Sequence, residues 1–534
     1  MEPKRFRPKW IVIGIIFAVG IIWITSLTRL VGDGYDDTRY IALSQALAEG
    51  KGFCRPSIPG CQPEAKFPIG YPLLLTPVWL VWPDFPQNVL GFKLVSVLAG
   101  LLVIGLSYVF FSRYDYLSTW EAILITALTA LAPQLFAFAT TAFSETTYAA
   151  FSILSLIALE RYGRGADDDW KRWLLAVLSS VAVFYMRSVG MAIGGAGLIY
   201  FISRKEKEYG KAWRFGAALA ICVLPWLLRS TWLDVGQSSY LDQLLVKQVE
   251  RSDLGYVGLG GLLIRVLQNV RAYILAGLPG VVFPSQVPLA HVNLSAELQV
   301  GAPLPGVDII LGTLIVAGWV GHLLFRRRLL DFYLLCYLGI CLLWPWEPLR
   351  LSVPLIPFLF YYLWFEGRMI VLALIGRWSK VKQYGQRLII GLIVVWLVIS
   401  GLQQARFAYH RHSDPYFGVS VDAKKRWQGL YELFTWIESN VQHDEVMASK
   451  NDDRLYLYTG RHTTRDLTLE SVKRDEVDYV VHIPYGGVMV GGDLSWYLIE
   501  PMVEAYPEAF EEVYADPSTG MRVFRVEREK LELE

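Results

Sequence analysis

Residues 10–30, WIVIGIIFAVGIIWITSLTRL, form a continuous apolar run of the length that an α-helix needs to cross a lipid bilayer. Four basic residues, Lys4, Arg5, Arg7 and Lys9, precede this run, and basic residues mark the cytosolic end of a membrane helix. The run is too long for the core of a signal peptide, and no small-residue cleavage site follows it. The sequence therefore predicts a retained signal anchor whose N-terminus lies in the cytosol.

The rest of the chain repeats this apolar pattern. Hydrophobic residues make up 54% of its 534 residues, which is too apolar for one soluble core but typical of a protein that lies mostly in lipid. Further apolar runs lie at residues 89–111, 120–139, 146–160, 172–186, 189–203, 214–232, 307–325, 330–346, 352–372 and 388–405. The basic residues between them fall on the same side as the N-terminus. The pattern predicts a polytopic α-helical protein of the plasma membrane with about eleven transmembrane helices.

Residues 262–284 are the ambiguous segment. Arg265 and Arg271 interrupt it, and the continuously apolar part is too short to span a bilayer. Counting it as a span would also place the basic residues 326–328 outside the cell, so we interpret it as interfacial or re-entrant. Eleven spans then leave the C-terminus outside, together with two long loops at residues 31–88 and 233–306.

The chain divides into two parts of different charge. Residues 406–534 carry 15 basic and 24 acidic residues, whereas the chain as a whole has a net charge of only +1 and so no general attraction to nucleic acid. In this tail, residues 427–441 show a helical stripe, and residues 478–484 and 521–526 have the pattern of strands. We therefore predict a transmembrane catalytic domain over residues 1–405 and a small extracytosolic α/β domain over residues 406–534.

Two of the five cysteines stand apart from the rest. Cys54 and Cys61 flank a short loop rich in proline and glycine within the first outer segment. An oxidising compartment would allow these two residues to form a disulfide. The other three cysteines lie in apolar runs, where we interpret them as small buried hydrophobic residues.

The first outer loop begins with a group of carboxylates, Asp33, Asp36 and Asp37. The residues that follow, 40–50, predict an amphipathic helix on the outer membrane surface, with Tyr40, Leu43 and Leu47 on one face. One interpretation is that Asp36 and Asp37 only cap this helix and stabilise its dipole. The other is that one of them is a general base that removes the proton of an acceptor hydroxyl at the membrane surface.

A family resemblance favours the second interpretation. Asp36-Asp37-Thr38-Arg39-Tyr40 resembles the Asp-Glu-x-x-Tyr signature in the first outer loop of the GT-C superfamily of glycosyltransferases, nearest to the protein O-mannosyltransferase and lipid A aminoarabinose transferase branch. The other segments that resemble this group are residues 66–72 (KFPIGYP), Ser144-Glu145, residues 225–229 (PWLLR) and residues 350–357 (RLSVPLIP). Two departures leave the identity of the base open, because Asp37 stands where Glu is usual and Glu145 where Asp is common.

The resemblance implies an inverting transfer of sugar from a polyprenyl-phosphate donor to a hydroxyl of a glycan, lipid or protein acceptor on the outer face. Asp36, Asp37 and Glu145 are then the candidate catalytic residues. Lys66, Arg229 and Arg350 all fall at the outer interface, where a cationic site would bind the donor phosphate. No cofactor is required, although Asp33, Asp36, Asp37 and Glu145 could jointly hold a divalent cation. Glu145 and Arg187 lie at span ends, where ordinary interfacial solvation is the alternative explanation; the resemblance favours a site role for Glu145 and, less, for Arg187.

Two other classes of function remain open at this stage. A lipid or glycan transporter also needs many spans, but it would place ionisable groups deep in the bilayer and show repeat symmetry. A non-catalytic subunit of a glycan assembly complex could have the same fold without catalysing sugar transfer. Release of polyprenyl phosphate, and its dependence on Asp36, would separate a transferase from both.

Overall fold

The computed structural model describes residues 8–166, 169–204, 208–233, 240–247, 255–282, 305–346, 348–375, 379–418, 422–484, 486–487 and 492–531. Up to residue 413 it is almost entirely helical. Its helices are α1 (Lys9–Thr25), α2 (Asp36–Ala48), α3 (Gly70–Val81), α4 (Val89–Arg113), α5 (Thr119–Ala130), α6 (Pro133–Ala139), α7 (Glu145–Gly163), α8 (Trp170–Met186), α9 (Met191–Ser203), α10 (Tyr209–Trp232), α11 (Tyr240–Leu245), α12 (Leu259–Ala272), α13 (Leu278–Val282), α14 (Pro305–Phe325), α15 (Leu329–Leu343), α16 (Pro348–Ser352), α17 (Ile356–Ile375) and α18 (Ser379–Ser413). A short hairpin of β1 (Cys54–Arg55) and β2 (Gln62–Pro63) lies in the first loop.

Among the described residues, six helical segments are long and apolar enough to cross a membrane. They are Val89–Arg113, Tyr209–Trp232, Leu259–Val282, Gly306–Phe325, Pro348–Ile370 and Ile390–Ser413. The pair α5 and α6, bent by 58°, would make a seventh if it is one broken span. Buried hydroxyls in the apolar helices donate to carbonyls one turn earlier, as Ser107 does to Val103 at 2.6 Å and Thr126 to Ala122 at 2.7 Å. This local hydrogen bond lets a polar residue lie in an apolar helix without an unpaired group.

The ambiguous segment is one continuous helical stretch from Leu259 to Val282, in which five π-helical residues join α12 to α13. Our prediction that it is too short to span is therefore wrong, because the helix begins earlier than the apolar run. It packs against α14 at Gly312 and meets α15 where that helix ends. Asn269 Nδ2 donates to the carbonyls of Leu342 at 2.8 Å and Trp344 at 2.9 Å, where α15 ends.

Residues 423–531, which we call the C-terminal region, form a mixed α/β unit. Its elements are α19 (Ala423–Asn440), β3 (Val446–Ala448), α20 (Asp452–Thr459), β4 (His462–Thr464), α21 (Leu469–Arg474), β5 (Tyr479–His482), β6 (Gly486–Gly487), β7 (Gly492–Asp493), α22 (Leu494–Ala505), β8 (Phe510–Asp516), β9 (Met521–Val526) and α23 (Arg528–Leu531). The five-stranded sheet has the order β4-β3-β5-β9-β8, in which β4, β3 and β5 are parallel and β9 and β8 antiparallel. The helix before the region, α18, continues past the predicted boundary at residue 405 to Ser413.

Alternation along the strands gives this sheet two cores. Val481 faces the core that contains Trp427 of α19, whereas its neighbour Val480 faces the core that contains Val472 of α21 and Ile499 of α22. Successive side chains of a strand point to opposite faces, so helices cover both sides of the sheet. The predicted helical stripe and both predicted strands occur here as α19, β5 and β9.

The predicted amphipathic surface helix is instead a buried one. In α2, residues 37–44 are all buried, and the helix packs between α3 and α20. Trp79 Nε1 of α3 donates to the Ile41 carbonyl at 3.1 Å and to Ser44 Oγ at 3.0 Å. The surface prediction is wrong because the C-terminal region covers the polar face of α2, which the local pattern assigns to solvent.

Candidate active site

The start of α2 meets the start of α7 and the short helix α16, and this junction brings together three predicted site residues. Arg350 Nη2 lies 2.7 Å from Asp36 Oδ2, and Arg350 Nε donates to Glu145 Oε1. One guanidinium therefore bridges two carboxylates that come from distant parts of the sequence. Asp36 and Arg350 keep 21% and 23% of their side-chain surface exposed, so the bridge can be reached from outside the protein.

Arg187 completes this cluster. It ends α8 with extended backbone angles, and its Nη1 donates to Glu145 Oε1 and, at 3.1 Å, to Ser144 Oγ. Ser144 Oγ also lies 3.1 Å from the hydroxyl of Tyr40. Sequence reasoning left Arg187 outside the site, although an arginine at the break of an apolar helix was a usable signal.

The two neighbouring aspartates have different surroundings. Burial acts to raise the pKa of Asp36, but Arg350, Lys66 and Arg187 together hold that pKa below its ordinary value. Asp37 accepts the backbone N–H groups of Gly32 and Thr38, both at 2.9 Å, and burial raises its pKa. Asp36 is thus an ionised carboxylate beside cations, whereas Asp37 fixes the backbone of the turn.

Asp37 also lines a separate cavity of about 40 Å³ on the other side of this turn. The ring of Phe143 lines the same cavity and lies 4.8 Å from the Arg350 guanidinium, so it separates the cavity from the bridge. Lys93, another lining residue, is buried and donates to the Leu30 carbonyl at 2.7 Å. The two aspartates therefore face two different spaces.

Lys66 lies within the electrostatic field of Asp36. The pKa of Lys66 is lowered to about 8, mainly by burial; the charge of Asp36 acts to raise it, and the positive charge of Arg465 acts to lower it. Its backbone N–H donates to Glu64 Oε1 at 2.7 Å, which fixes the loop at this point. Lys66 is therefore close enough to Asp36 for the two charges to interact.

Arg229 contacts the same loop from α10. Its Nη1 donates to the Glu64 carbonyl at 2.7 Å, and its guanidinium lies 5.1 Å from the ring of Trp226. Of the six predicted site residues, Asp36, Glu145 and Arg350 therefore form one cluster, with Lys66 near it. Arg229 supports the loop that carries Lys66, and Asp37 is turned away.

The four carboxylates predicted as joint cation ligands do not come together. Asp33 pairs with Arg454 at 3.4 Å and accepts from Trp427 Nε1 at 3.3 Å, while Asp37 holds backbone amides. No group of three or more metal-ligating side chains occurs among the residues that the structure describes. Binding of a divalent cation by the protein stays a prediction.

The first loop is closed by a disulfide between Cys54 and Cys61, whose Cα atoms are 5.3 Å apart. The pair encloses the turn that joins β1 to β2. Ser57, inside the closed loop, accepts the backbone N–H of Thr463 through its carbonyl at 2.7 Å. The disulfide therefore shapes a loop that contacts the C-terminal region.

Comparison with known proteins supports the fold. No protein-family profile and no curated protein sequence matches the chain. Among solved structures, the archaeal oligosaccharyltransferase AglB from Archaeoglobus fulgidus, in complex with an inhibitory peptide and a dolichol-phosphate, matches 97% of this chain and 74% of its own, with a TM-score of 0.56 and 12% identity. ArnT from Cupriavidus metallidurans, bound to undecaprenyl phosphate, matches 97% of this chain and 98% of its own, with a TM-score of 0.54 and 12% identity. Both neighbours are membrane glycosyltransferases of the GT-C superfamily, so the resemblance noted in the sequence is confirmed as one of fold.

Proposed function

We propose that this chain is a membrane glycosyltransferase that moves a sugar from a polyprenyl-phosphate donor to a hydroxyl acceptor, with inversion at the anomeric carbon. The observation that carries the proposal is the Asp36 carboxylate, which is ionised, partly exposed and bridged to Glu145 by Arg350. The shared fold with AglB and ArnT supports the donor class, since those structures hold a dolichol-phosphate and undecaprenyl phosphate.

Asp36 is the general base of the proposed reaction. It takes the proton of the acceptor hydroxyl while that oxygen attacks the anomeric carbon, and the bond from this carbon to the phosphate oxygen breaks. The bonding electrons leave with the polyprenyl phosphate, whose charge Lys66 stabilises. Because the bound phosphate offsets the positive field around Asp36, it also makes the carboxylate a stronger base once the donor is present.

Glu145 and Arg187 position the other groups. Glu145 Oε1 accepts from both Arg350 and Arg187, which fixes the guanidinium that orients Asp36. Glu145 Oε2 is buried and has no hydrogen-bond partner in the described part of the chain. A buried carboxylate oxygen without a partner is costly, so we assign it to a hydroxyl of the bound sugar or acceptor.

The direct test is transfer from a synthetic polyprenyl-phosphate sugar by purified protein in detergent. The proposal requires release of polyprenyl phosphate that depends on the acceptor. A transporter would bind the lipid without breaking the sugar–phosphate bond, and a non-catalytic subunit would be inactive until a partner was added. The sugar, the polyprenyl length and the acceptor are variables of this assay.

We further propose eleven spans, with a transmembrane domain up to about residue 405 and the C-terminal region on the outer face. Arg39 of α2 and Asp452 of α20 form a buried ion pair at 2.9 Å, so the first loop and the C-terminal region lie on one side of the membrane. An even number of spans must separate them. The ten spans α4, α5–α6, α7, α8, α9, α10, α14, α15, α17 and α18 satisfy this requirement. Adding Leu259–Val282 would violate it, which supports an interfacial position for that helix.

This topology predicts the labelling of single introduced cysteines. Ser439→Cys, on an exposed face of α19, should react with a membrane-impermeant maleimide in intact cells whose outer layer is permeable. Arg326→Cys, in the exposed turn between α14 and α15, should react only after lysis. Labelling of Arg326→Cys before lysis, or protection of Ser439→Cys, would require a different number of spans.

The role of Lys66 predicts a pH-dependent affinity for the donor. An ammonium whose pKa is about 8 is charged below that pH, so binding of undecaprenyl phosphate should be strongest below pH 8 and weaken above it. Lys66→Met should bind about ten- to a hundredfold more weakly at pH 7 and lose this dependence, because a charge-assisted contact to phosphate is gone. Lys51→Met is the matched control, since Lys51 is an exposed residue of the same loop paired with Glu49. If Lys66→Met and Lys51→Met bind undecaprenyl phosphate with equal affinity, Lys66 does not bind the donor phosphate.

A further inference from the structure

The turn that precedes Asp36 has a strained backbone. Tyr35 has a φ of 58° and a ψ of −58°, and the backbone N–H of Asp36 donates to the carbonyl of Gly34 at 2.6 Å. These angles and this hydrogen bond define a γ-turn with a positive φ, a rare conformation that is unfavourable for residues other than glycine. Such a conformation persists only when the surrounding structure holds it. The position of Asp36 therefore depends on the groups that contact this turn.

Phe143 packs against the turn on the side of the site. A Cβ atom at Gly34 would overlap the Phe143 ring, so glycine is required for this close approach. The same ring lies 4.8 Å from the Arg350 guanidinium that bridges Asp36 and Glu145. The turn therefore lies directly on the ring that also contacts the bridge.

Two arginines contact the side chain of Tyr35. The guanidinium carbon of Arg465, which follows β4 in the C-terminal region, lies 3.6 Å from the centre of the Tyr35 ring. The Tyr35 hydroxyl accepts from Arg39 Nη2 of α2 at 2.5 Å. A guanidinium over an aromatic face and a charge-assisted hydrogen bond are both favourable contacts. Together they fix the ring at its face and at its hydroxyl.

Arg39 is itself held by the C-terminal region. It contacts Asp452 at 2.9 Å and also contacts Asp453, and both aspartates belong to α20. The side chains of these three residues are at most 4% exposed. Breaking a buried ion pair leaves an uncompensated charge, so these contacts are costly to lose. The C-terminal region therefore supplies one of the arginines that contact Tyr35 and fixes the other.

We propose that Tyr35 is a positioning residue of the active site, and that the C-terminal region, through Arg465 and Arg39, holds the Tyr35 turn in the conformation that presents Asp36. Without these contacts the turn relaxes to a less strained conformation, which moves the Asp36 carboxylate away from the acceptor hydroxyl. Displacement of a reacting group by about 1 Å can lower a rate by about a hundredfold. This inference rests on the proposed function, in which Asp36 is the base.

The test is sugar transfer and donor binding by the full-length protein in detergent. Tyr35→Leu removes the ring and the hydroxyl but no charge, so its kcat should be about tenfold to a hundredfold lower than that of wild type. Its affinity for undecaprenyl phosphate, and the pH below which transfer falls, should stay those of wild type, because the charges around Asp36 are unchanged. Tyr35→Phe keeps the ring under Arg465 and should be faster than Tyr35→Leu.

Arg465→Gln tests the same contact from the C-terminal region. Its kcat should fall about tenfold, and Arg465→Lys should recover part of the loss, because an ammonium also binds the face of an aromatic ring. Since Tyr35→Leu and Arg465→Gln break one shared contact, the double variant should be about as slow as the slower single variant. Arg474→Gln is the matched control, because Arg474 is an exposed arginine of the same region paired with Asp475, and it should keep the wild-type rate.

The outcomes separate this inference from the proposed function. If wild type transfers no sugar, the proposed function fails. If wild type is active and both Tyr35→Leu and Arg465→Gln keep its kcat, Tyr35 does not position Asp36. An equal loss of donor affinity in Tyr35→Leu, or a double variant slowed by the product of the two single losses, would also overturn the inference. If Tyr35→Leu is not monodisperse, Arg465→Gln and its rescue by lysine decide the question.

Discussion

Asp36→Asn is expected to lower sugar transfer by about a hundredfold or more, the loss that follows removal of a positioned proton acceptor. An amide has nearly the shape of the carboxylate but cannot take the acceptor proton at neutral pH. Asn is also a good residue for the start of a helix, so α2 should form as before. The measurement is the initial rate of transfer from a synthetic polyprenyl-phosphate sugar, with monodispersity and thermal unfolding measured on the same samples.

Asp37→Asn is the matched control for this experiment. Its carboxylate accepts the backbone N–H groups of Gly32 and Thr38, and an amide oxygen can accept one of these. We therefore expect Asp37→Asn to lose less activity than Asp36→Asn and to unfold at a lower temperature than wild type, because it weakens the hydrogen bonds that hold the turn. If Asp36→Asn, Asp37→Asn and the double variant all keep full activity while monodisperse, Asp36 and Asp37 only cap helix α2, and the proposed mechanism is wrong.

The sequence predicted that Asp36, Glu145 and Arg350 lie at the same membrane interface, but it assigned Arg350 to the donor phosphate and did not predict that Arg350 bridges the two carboxylates. Asp36, Glu145 and Arg350 each occupy the end of an apolar segment, and the alternation of membrane spans places such ends on a common side. Topology alone therefore places these residues on one side of the membrane, and helix packing brings them into contact. It does not specify which carboxylate faces the cations, and that distinction between Asp36 and Asp37 depends on the turn at Gly32, whose φ is 110°.

What the sequence could not predict depends on contacts between its distant parts. The polar face of α2 has the pattern of a surface helix, yet Arg39 on that face pairs with Asp452 and Asp453, which are more than 400 positions away. The contact between Arg465 and the Tyr35 ring could not be predicted for the same reason, because the two residues belong to distant parts of the chain. Local periodicity indicates which face of a helix is buried, but it does not indicate which part of the chain packs on that face.

Arg350→Gln is the second change for which we expect a large effect, and the effect should depend on pH. Burial is the largest influence on the pKa of Asp36 and raises it, and Arg350 is the largest of the influences that lower it. Without Arg350 the pKa of Asp36 should rise, as expected when a carboxylate loses an arginine at contact distance. Repulsion from Glu145, which loses the same partner, acts in the same direction.

The sign of the pH effect follows from the role of the base. Asp36 accepts a proton only when it is deprotonated, so transfer is lost as the pH falls through the pKa of Asp36. A raised pKa therefore moves this loss, the acidic limb of the pH–rate profile, to higher pH. Asp36 stays deprotonated near neutral pH in Arg350→Gln, so the shift should appear on the acidic side of the profile, where this variant loses transfer at a higher pH than wild type. Near neutral pH its rate should fall about tenfold, because the bridge that positions Asp36 is lost. The measurement is the pH–rate profile with saturating donor. Arg368→Gln, which removes an exposed arginine paired with Glu121, is the control and should keep the wild-type profile.

Arg350→Lys separates the two contributions of this residue. A lysine keeps the positive charge beside Asp36 but cannot contact both carboxylates with the fixed geometry of a guanidinium. We therefore expect its acidic limb to stay near that of wild type while its rate falls at every pH, because the charge is retained and the bridge to Glu145 is lost. If Arg350→Gln shows a lower rate with no shift of the acidic limb, Arg350 positions Asp36 without setting its pKa. If neither variant loses activity, the bridge between Asp36 and Glu145 is not part of the catalytic site.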